Sequence, residues 1–165
     1  MGEREMILVL GALIFFSMTS LSVNRFCLDN NEVMMKSEFD YFAISLAQGI
    51  IEEVKTREFD SAIVFGTAHT IPDDFTYPLG PRNDESYPNY NDVDDYNGLN
   101  LTVTADTNGP KVDYNVSVSA GYVEEYDIDT FVSHKTLHKK VVVTVTSDYI
   151  SAPVILSHVY SYYEF

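Results

Sequence analysis

Basic residues and cysteine are scarce in this chain, and tryptophan is absent. Ten lysines and arginines against 25 aspartates and glutamates leave a formal charge of -15, which repels phosphate backbones, so direct nucleic-acid binding is not expected. A single cysteine, Cys27, excludes an intramolecular disulfide. Stability outside a cell would then have to come from packing, assembly or metal. There is no phosphate-binding glycine loop, no Gly-x-Ser-x-Gly and no pocketed pair of acids, and no catalysis is expected. What the chain does have is 45% hydrophobic and 13% aromatic residues over 165 positions. That argues for a folded chain of one domain, or one domain plus an extension.

Proline is also missing before Pro72, and the apolar content is concentrated at the amino-terminal end. Met6 to Val23 is an uncharged run of eighteen residues, just long enough to cross a bilayer as a helix. It lacks the basic leader and the Ala-x-Ala site of a secretory signal. As a plain anchor it is flanked by one arginine at each end, Arg4 and Arg25, so charge does not set its orientation. A helical pattern continues from Asn24 to about Phe59, where Met35, Phe39, Phe42, Leu46, Ile50 and Val54 recur every three or four residues,. Glu3 to Glu58 as one helix would be about 84 Å long, more than a domain of this size can cover, so part of it must be buried by something else. Gly11 and Asp29-Asn30-Asn31 are weak helix formers, and a bend or an unwound stretch is expected near one of them,.

Residues 72–98 hold four of the six prolines and seven acids against one arginine, and they read as a long loop that is either functional or tied down by something. Beyond Gly98 the period becomes two. Leu99, Leu101, Val103 and Ala105 alternate with polar residues, as do Val112, Tyr114, Val116, Val118, Ala120 and Tyr122. Thr107-Asn108-Gly109-Pro110 between them has turn composition,. Lys140 to Thr146 and Val154 to Tyr163 add two more strands. The expected fold class is therefore α+β, a long N-terminal α-helix packed on a four-stranded antiparallel sheet, with the first half of the helix left uncovered.

This plan resembles the type IV pilins and the pseudopilins of type II secretion over nearly the whole chain. Glu5, just before the apolar run, is similar to the glutamate early in the mature pilin helix that neutralises a neighbour's terminal amine. It falls in the usual fifth place if Met1 is the mature start. Phe59-Asp60-Ser61-Ala62 and Asn91-Asp92-Val93-Asp94-Asp95-Tyr96-Asn97-Gly98 resemble minor pilins of the mannose-sensitive-haemagglutinin type. Pilin precursors read Gly-Phe-Thr-Leu-Ile-Glu at the processing site, whereas Gly2 here precedes Glu3, Arg4 and Glu5. The resemblance implies a division into a membrane or filament-core helix, 1–24, and a head, 25–165, made of helix 25–59, acidic loop 72–98 and sheet 99–165. It also implies a filament subunit, held in the cytoplasmic membrane and then assembled with copies of itself on the cell surface by pilus or secretion machinery. Leu8, Leu10, Leu13, Ile14, Phe15, Phe16 and Leu21 would form the core, and Glu5, with Glu3 and Arg4, would set register,. The alternatives are a priming pseudopilin or minor pilin, and a membrane-anchored acidic binding domain that does not polymerise.

Asp92, Asp94, Asp95 and Asn97 offer oxygens of the kind calcium takes,. The alternative reading is a solvated acidic turn capping the first strand. No other cofactor is expected. His134 and His138 lack a third ligand, His69 and His158 are isolated, and Cys27 reads as a small core residue,. Asn100-Leu-Thr and Asn115-Val-Ser are glycosylation sequons on predicted polar strand faces,.

Overall fold

A computed structural model describes residues 2–106 and 111–163. The predicted turn at 107–110 lies outside the described residues. The chain divides into two compact units, residues 1–39 and residues 40–165.

Helix α1 runs from Glu3 to Val54. It passes Gly11 and Asp29-Asn30-Asn31 without interruption, so the expected unwinding does not occur. A lone glycine costs a helix only about 1 kcal/mol, and the long neighbouring runs of good helix formers absorb it. The helix ends five residues before Phe59, because the amides of Thr56 and Arg57 turn back to Glu53 and Val54, three residues before each,.

Within the second unit, the last four turns of α1 bury Ala43, Ala47, Ile50, Ile51 and Val54. Phe42 stacks at 4.9 Å on Tyr114, and the Tyr160 hydroxyl donates to the Ile51 carbonyl at 3.2 Å. The buried face is thus centred on two alanines, with Phe42 and Leu46 only half-buried beside them. Small residues let the helix approach strands that carry bulky tyrosines and valines. Met35, expected on the buried stripe, is 47% exposed.

The sheet has five strands among the described residues rather than four. They are β1 (Asn100–Ala105), β2 (Val112–Glu124), β3 (Asp127–Val132), β4 (His138–Thr146) and β5 (Val154–Ser161). The order is β1-β2-β4-β5, every pairing is antiparallel, and β3 pairs only with the end of β2. Alternation decides which face is covered. Val112, Tyr114, Val116, Val118, Ala120 and Tyr122 of β2, and Val141, Val143 and Val145 of β4, are buried.

The segment before β1 is tied down by its own hydrogen bonds. Asp60 caps the short helix α2 (Ser61–Val64), accepting from the Ala62 amide at 2.9 Å,. Glu58 forms an isolated parallel bridge with Asp92. A 3-10 turn, Asp94–Tyr96, then leads to β1. Asn97 accepts from the Ala120 amide at 3.1 Å and donates to the Leu79 carbonyl at 3.1 Å, fastening the loop to the sheet.

Candidate functional site

Two features stand out chemically, one in each unit. The first is the apolar surface of α1. Leu8, Phe15 and Phe16 are 73%, 71% and 71% exposed, and Leu10, Leu13, Ile14 and Leu21 are also exposed. The most apolar eighteen-residue window of this helix has a mean hydropathy of 2.2 and none of it is buried. Length and composition are those of a membrane-crossing helix. Monomeric soluble proteins rarely leave so much contiguous apolar surface uncovered. Ser17, Thr19 and Ser37 return their hydroxyls to carbonyls of the preceding turn, so these polar side chains cost little in an apolar setting.

At the start of this helix Glu5 accepts a hydrogen bond from the Gly2 amide at 3.1 Å, while the Glu5 and Met6 amides donate to the Gly2 carbonyl. That is the glutamate half of a capping box, and it occupies Glu5 locally. Glu3 and Arg4 are exposed in the same turn. Cys27 is exposed on α1 rather than in a core.

The second feature is a buried polar centre that joins the acidic loop to β4. Lys139 is fully buried, and its ammonium donates to the Phe59 carbonyl at 2.8 Å, to Asp60 Oδ2 at 2.6 Å and to Asp94 Oδ1. The rings of Phe59, Tyr122 and Phe75 lie 4.5, 5.0 and 5.8 Å from Nζ,. Asp60, also fully buried, accepts in addition from the Thr76 amide and hydroxyl, and the Tyr122 hydroxyl is shared between Asp60 Oδ2 at 3.1 Å and the Thr76 carbonyl at 2.8 Å. Burial pushes its carboxyl up, but the Lys139 charge and the hydrogen bonds from Lys139, Ala62 and Thr76 outweigh it and hold the pKa below the usual range,.

Asp94 has the opposite balance. Burial pushes it up to about 8, against the attraction of Lys139 and with help from the neighbouring Asp60 charge,. Asp92 is raised to about 6, first by burial and then by Asp95. The Asp92 side chain caps the 3-10 turn, accepting from the Asp94 amide at 2.8 Å. Asp95 accepts from the Asn91 amide at 3.0 Å. Asn91 Oδ1, Asp92 Oδ2 and Asp94 Oδ2 are buried with no hydrogen-bond partner among the described residues.

The loop is therefore not the solvated turn that its composition suggests, since Asp92, Asp94 and Asp95 are all buried. Among the described residues no three His, Cys, Asp or Glu side chains are grouped to hold a metal, and the cation that meets Asp94 is Lys139.

The sequence contained a signal for Lys139, which lies one residue before the strand expected from Lys140 to Thr146. In β4 the inward residues are Val141, Val143 and Val145, and two residues back along the same face is Lys139,. His138 is in the strand and contacts the Ser161 hydroxyl, while His134 pairs with Glu124, so the two histidines are used separately. The sequon asparagines Asn100 and Asn115 are both exposed on β1 and β2. Their motifs run antiparallel to each other, with Asn100 opposite Ser117 and Thr102 opposite Asn115. The chain matches no protein-family model, no curated protein and no solved structure.

Proposed function

We propose that the chain is a pilin-like structural subunit, inserted in the cytoplasmic membrane by the first part of α1 and then assembled with copies of itself into an extracellular helical filament. The observation that carries this reading is the extent of apolar side chain left uncovered on α1 from Met6 to Val23, on a helix that continues to Val54. A lipid anchor would account for an apolar run of that length. Continuation into a helix whose last turns are buried against an antiparallel sheet is what favours a pilin-like subunit over a plain anchor. In this reading the subunits leave lipid by packing Leu8, Leu13, Phe15 and Phe16 against one another. Contacts of that kind are head-to-tail and do not close, and so propagate a filament.

Glu5 is the register element. A glutamate within hydrocarbon is costly unless paired. In the single chain its partner is the Gly2 amide. In the filament it exchanges that partner for the terminal amine of a neighbour. Glu5→Ala is expected to leave the head folded and the chain in the membrane while reducing filament recovered by shearing at least tenfold. Undiminished filament yield from that variant would remove the role given to Glu5.

A further inference from the structure

We propose that Lys139 and Asp94 condense in the folded protein into an intramolecular isopeptide bond, joining the start of β4 to the turn that precedes β1. Four observations converge on this pair. The amine and the carboxyl are in direct contact, with Lys139 fully buried and Asp94 1% exposed. The oxygen of Asp94 turned away from the amine, Oδ2, is buried and has no partner, so it is free to carry a proton and to leave. Phe59, Tyr122 and Phe75 surround the fully buried Nζ with aromatic rings, an environment that excludes the water that would drive hydrolysis. Asp60 Oδ2 is 2.6 Å from Nζ on a side chain fixed by the Ala62 and Thr76 amides, the Thr76 hydroxyl and Lys139 itself.

These parts define a balanced step. Asp60 takes a proton from the Lys139 ammonium, and the neutral amine attacks Cγ of Asp94, which holds its own proton on Oδ2. The C–Oδ2 bond breaks as the C–Nζ bond forms, and Oδ2 departs with two hydrogens as water, one its own and one from nitrogen. The amide keeps one N–H, directed at the Phe59 carbonyl that already accepts from Nζ at 2.8 Å, and Asp60 is left protonated. No oxidant, metal or activated donor is required. Holding the two groups in contact supplies an effective concentration that amines and acids never reach in water.

Asp94 rather than Asp60 is the electrophile because of their hydrogen bonds. Hydrogen bonds from the Ala62 and Thr76 amides, the Thr76 hydroxyl and Lys139 favour the carboxylate form of Asp60, so Asp60 is the acid that stays ionised and can receive a proton, not the one attacked,. Asp94 is pushed up to about 8 by burial and keeps its proton at neutral pH.

Trypsin separates the three participants by sequence. Asp60 falls in peptide 58–82, Asp94 in 83–111 and Lys139 in 136–140 when cleavage after Lys139 is blocked. Mass spectrometry of a digest of the full chain, purified in detergent, is expected to yield a branched species joining 83–111 to 136–140, lighter by one water than the two together. Linear 83–111 with cleavage after Lys139 would overturn the proposal, and so would a branch through 58–82. Asp94→Ala should restore cleavage after Lys139. Asp60→Asn should slow appearance of the branched peptide by roughly 100-fold, the scale of a lost general base. An unchanged rate in Asp60→Asn would overturn the part given to Asp60.

Discussion

Asp92 shows how a single side chain can have a structural use and an electrostatic cost together. One of its oxygens caps the 3-10 turn and the other is buried without a partner. Its pKa rises from 3.8 when unfolded to about 6 when folded, through burial first and the nearby Asp95 second. Between those values the native state binds more protons than the unfolded state, so this group makes stability fall as pH rises from about 4 to about 6. The shift corresponds to roughly 3 kcal/mol at most. Asp95, also raised by burial, acts in the same direction. While Lys139 keeps its charge, Asp60 is depressed and acts in the opposite sense, its contribution being lost as pH falls through and below the ordinary carboxylate range,. Loss of the Lys139 charge would raise Asp92 further and leave the sign unchanged. Asp92→Asn keeps an oxygen for the cap and removes the charge. Thermal melts across pH 4 to 6 are expected to show a decline in the parent protein and a flatter profile in the variant. Equal slopes would contradict this assignment.

Burial of the acids is also where sequence reading stopped. Asp92, Asp94 and Asp95 lie in a segment rich in prolines and acids, and composition alone assigns such a stretch to solvent. What draws it inside is a lysine 45 residues further on from Asp94, which local pattern cannot reveal. Lys139 itself was legible by parity, two residues before Val141 on the inward face of β4.

At the scale of elements, sequence pattern located α1, β1, β2, β4 and β5 to within a few residues, because β2 and β4 have one buried face, β1 and the start of β5 alternate between half-buried and exposed residues, and α1 opens on a continuous apolar run,. It missed β3, whose residues are exposed except for the half-buried Val132. With no buried face there is no alternation to read, and Glu124, Glu125, Asp127 and Asp129 make the segment resemble a loop. β3 is held instead by its register with β2, Tyr122 opposite Val132 and Val123 opposite Phe131, and by a close packing of Phe131 over Gly121. A methyl group at Gly121 would sit 2.5 Å from the Phe131 ring. Gly121→Ala is therefore expected to displace that ring and destabilise the head by about 1–2 kcal/mol, within the range for overpacked sites. Chemical denaturation measures the loss, and adding Phe131→Ala should recover part of it. Additive losses in the double variant would show that the two residues do not interact. The helix face was misjudged in a related way. Large residues marked the stripe in the sequence, but Ala43 and Ala47 occupy its centre because small side chains permit the closest approach.

For the whole molecule, the sequence supports two physical statements that remain separate in the single chain. Residues 40–165 have their own buried core of helix, loop and sheet. Residues 6–23 carry large apolar side chains that are exposed among the described residues. Under the proposed function, lipid covers this surface before assembly and other copies of the same surface cover it afterwards. The most direct test is cryo-electron microscopy of filaments sheared from the cell surface, traced to see which chain forms the core. The account predicts a helical repeat of this chain, with Leu8, Leu13, Phe15 and Phe16 of successive subunits in contact and Glu5 beside a neighbour's terminal amine. A filament core built from another chain, with this one recovered only in the membrane fraction, would contradict it.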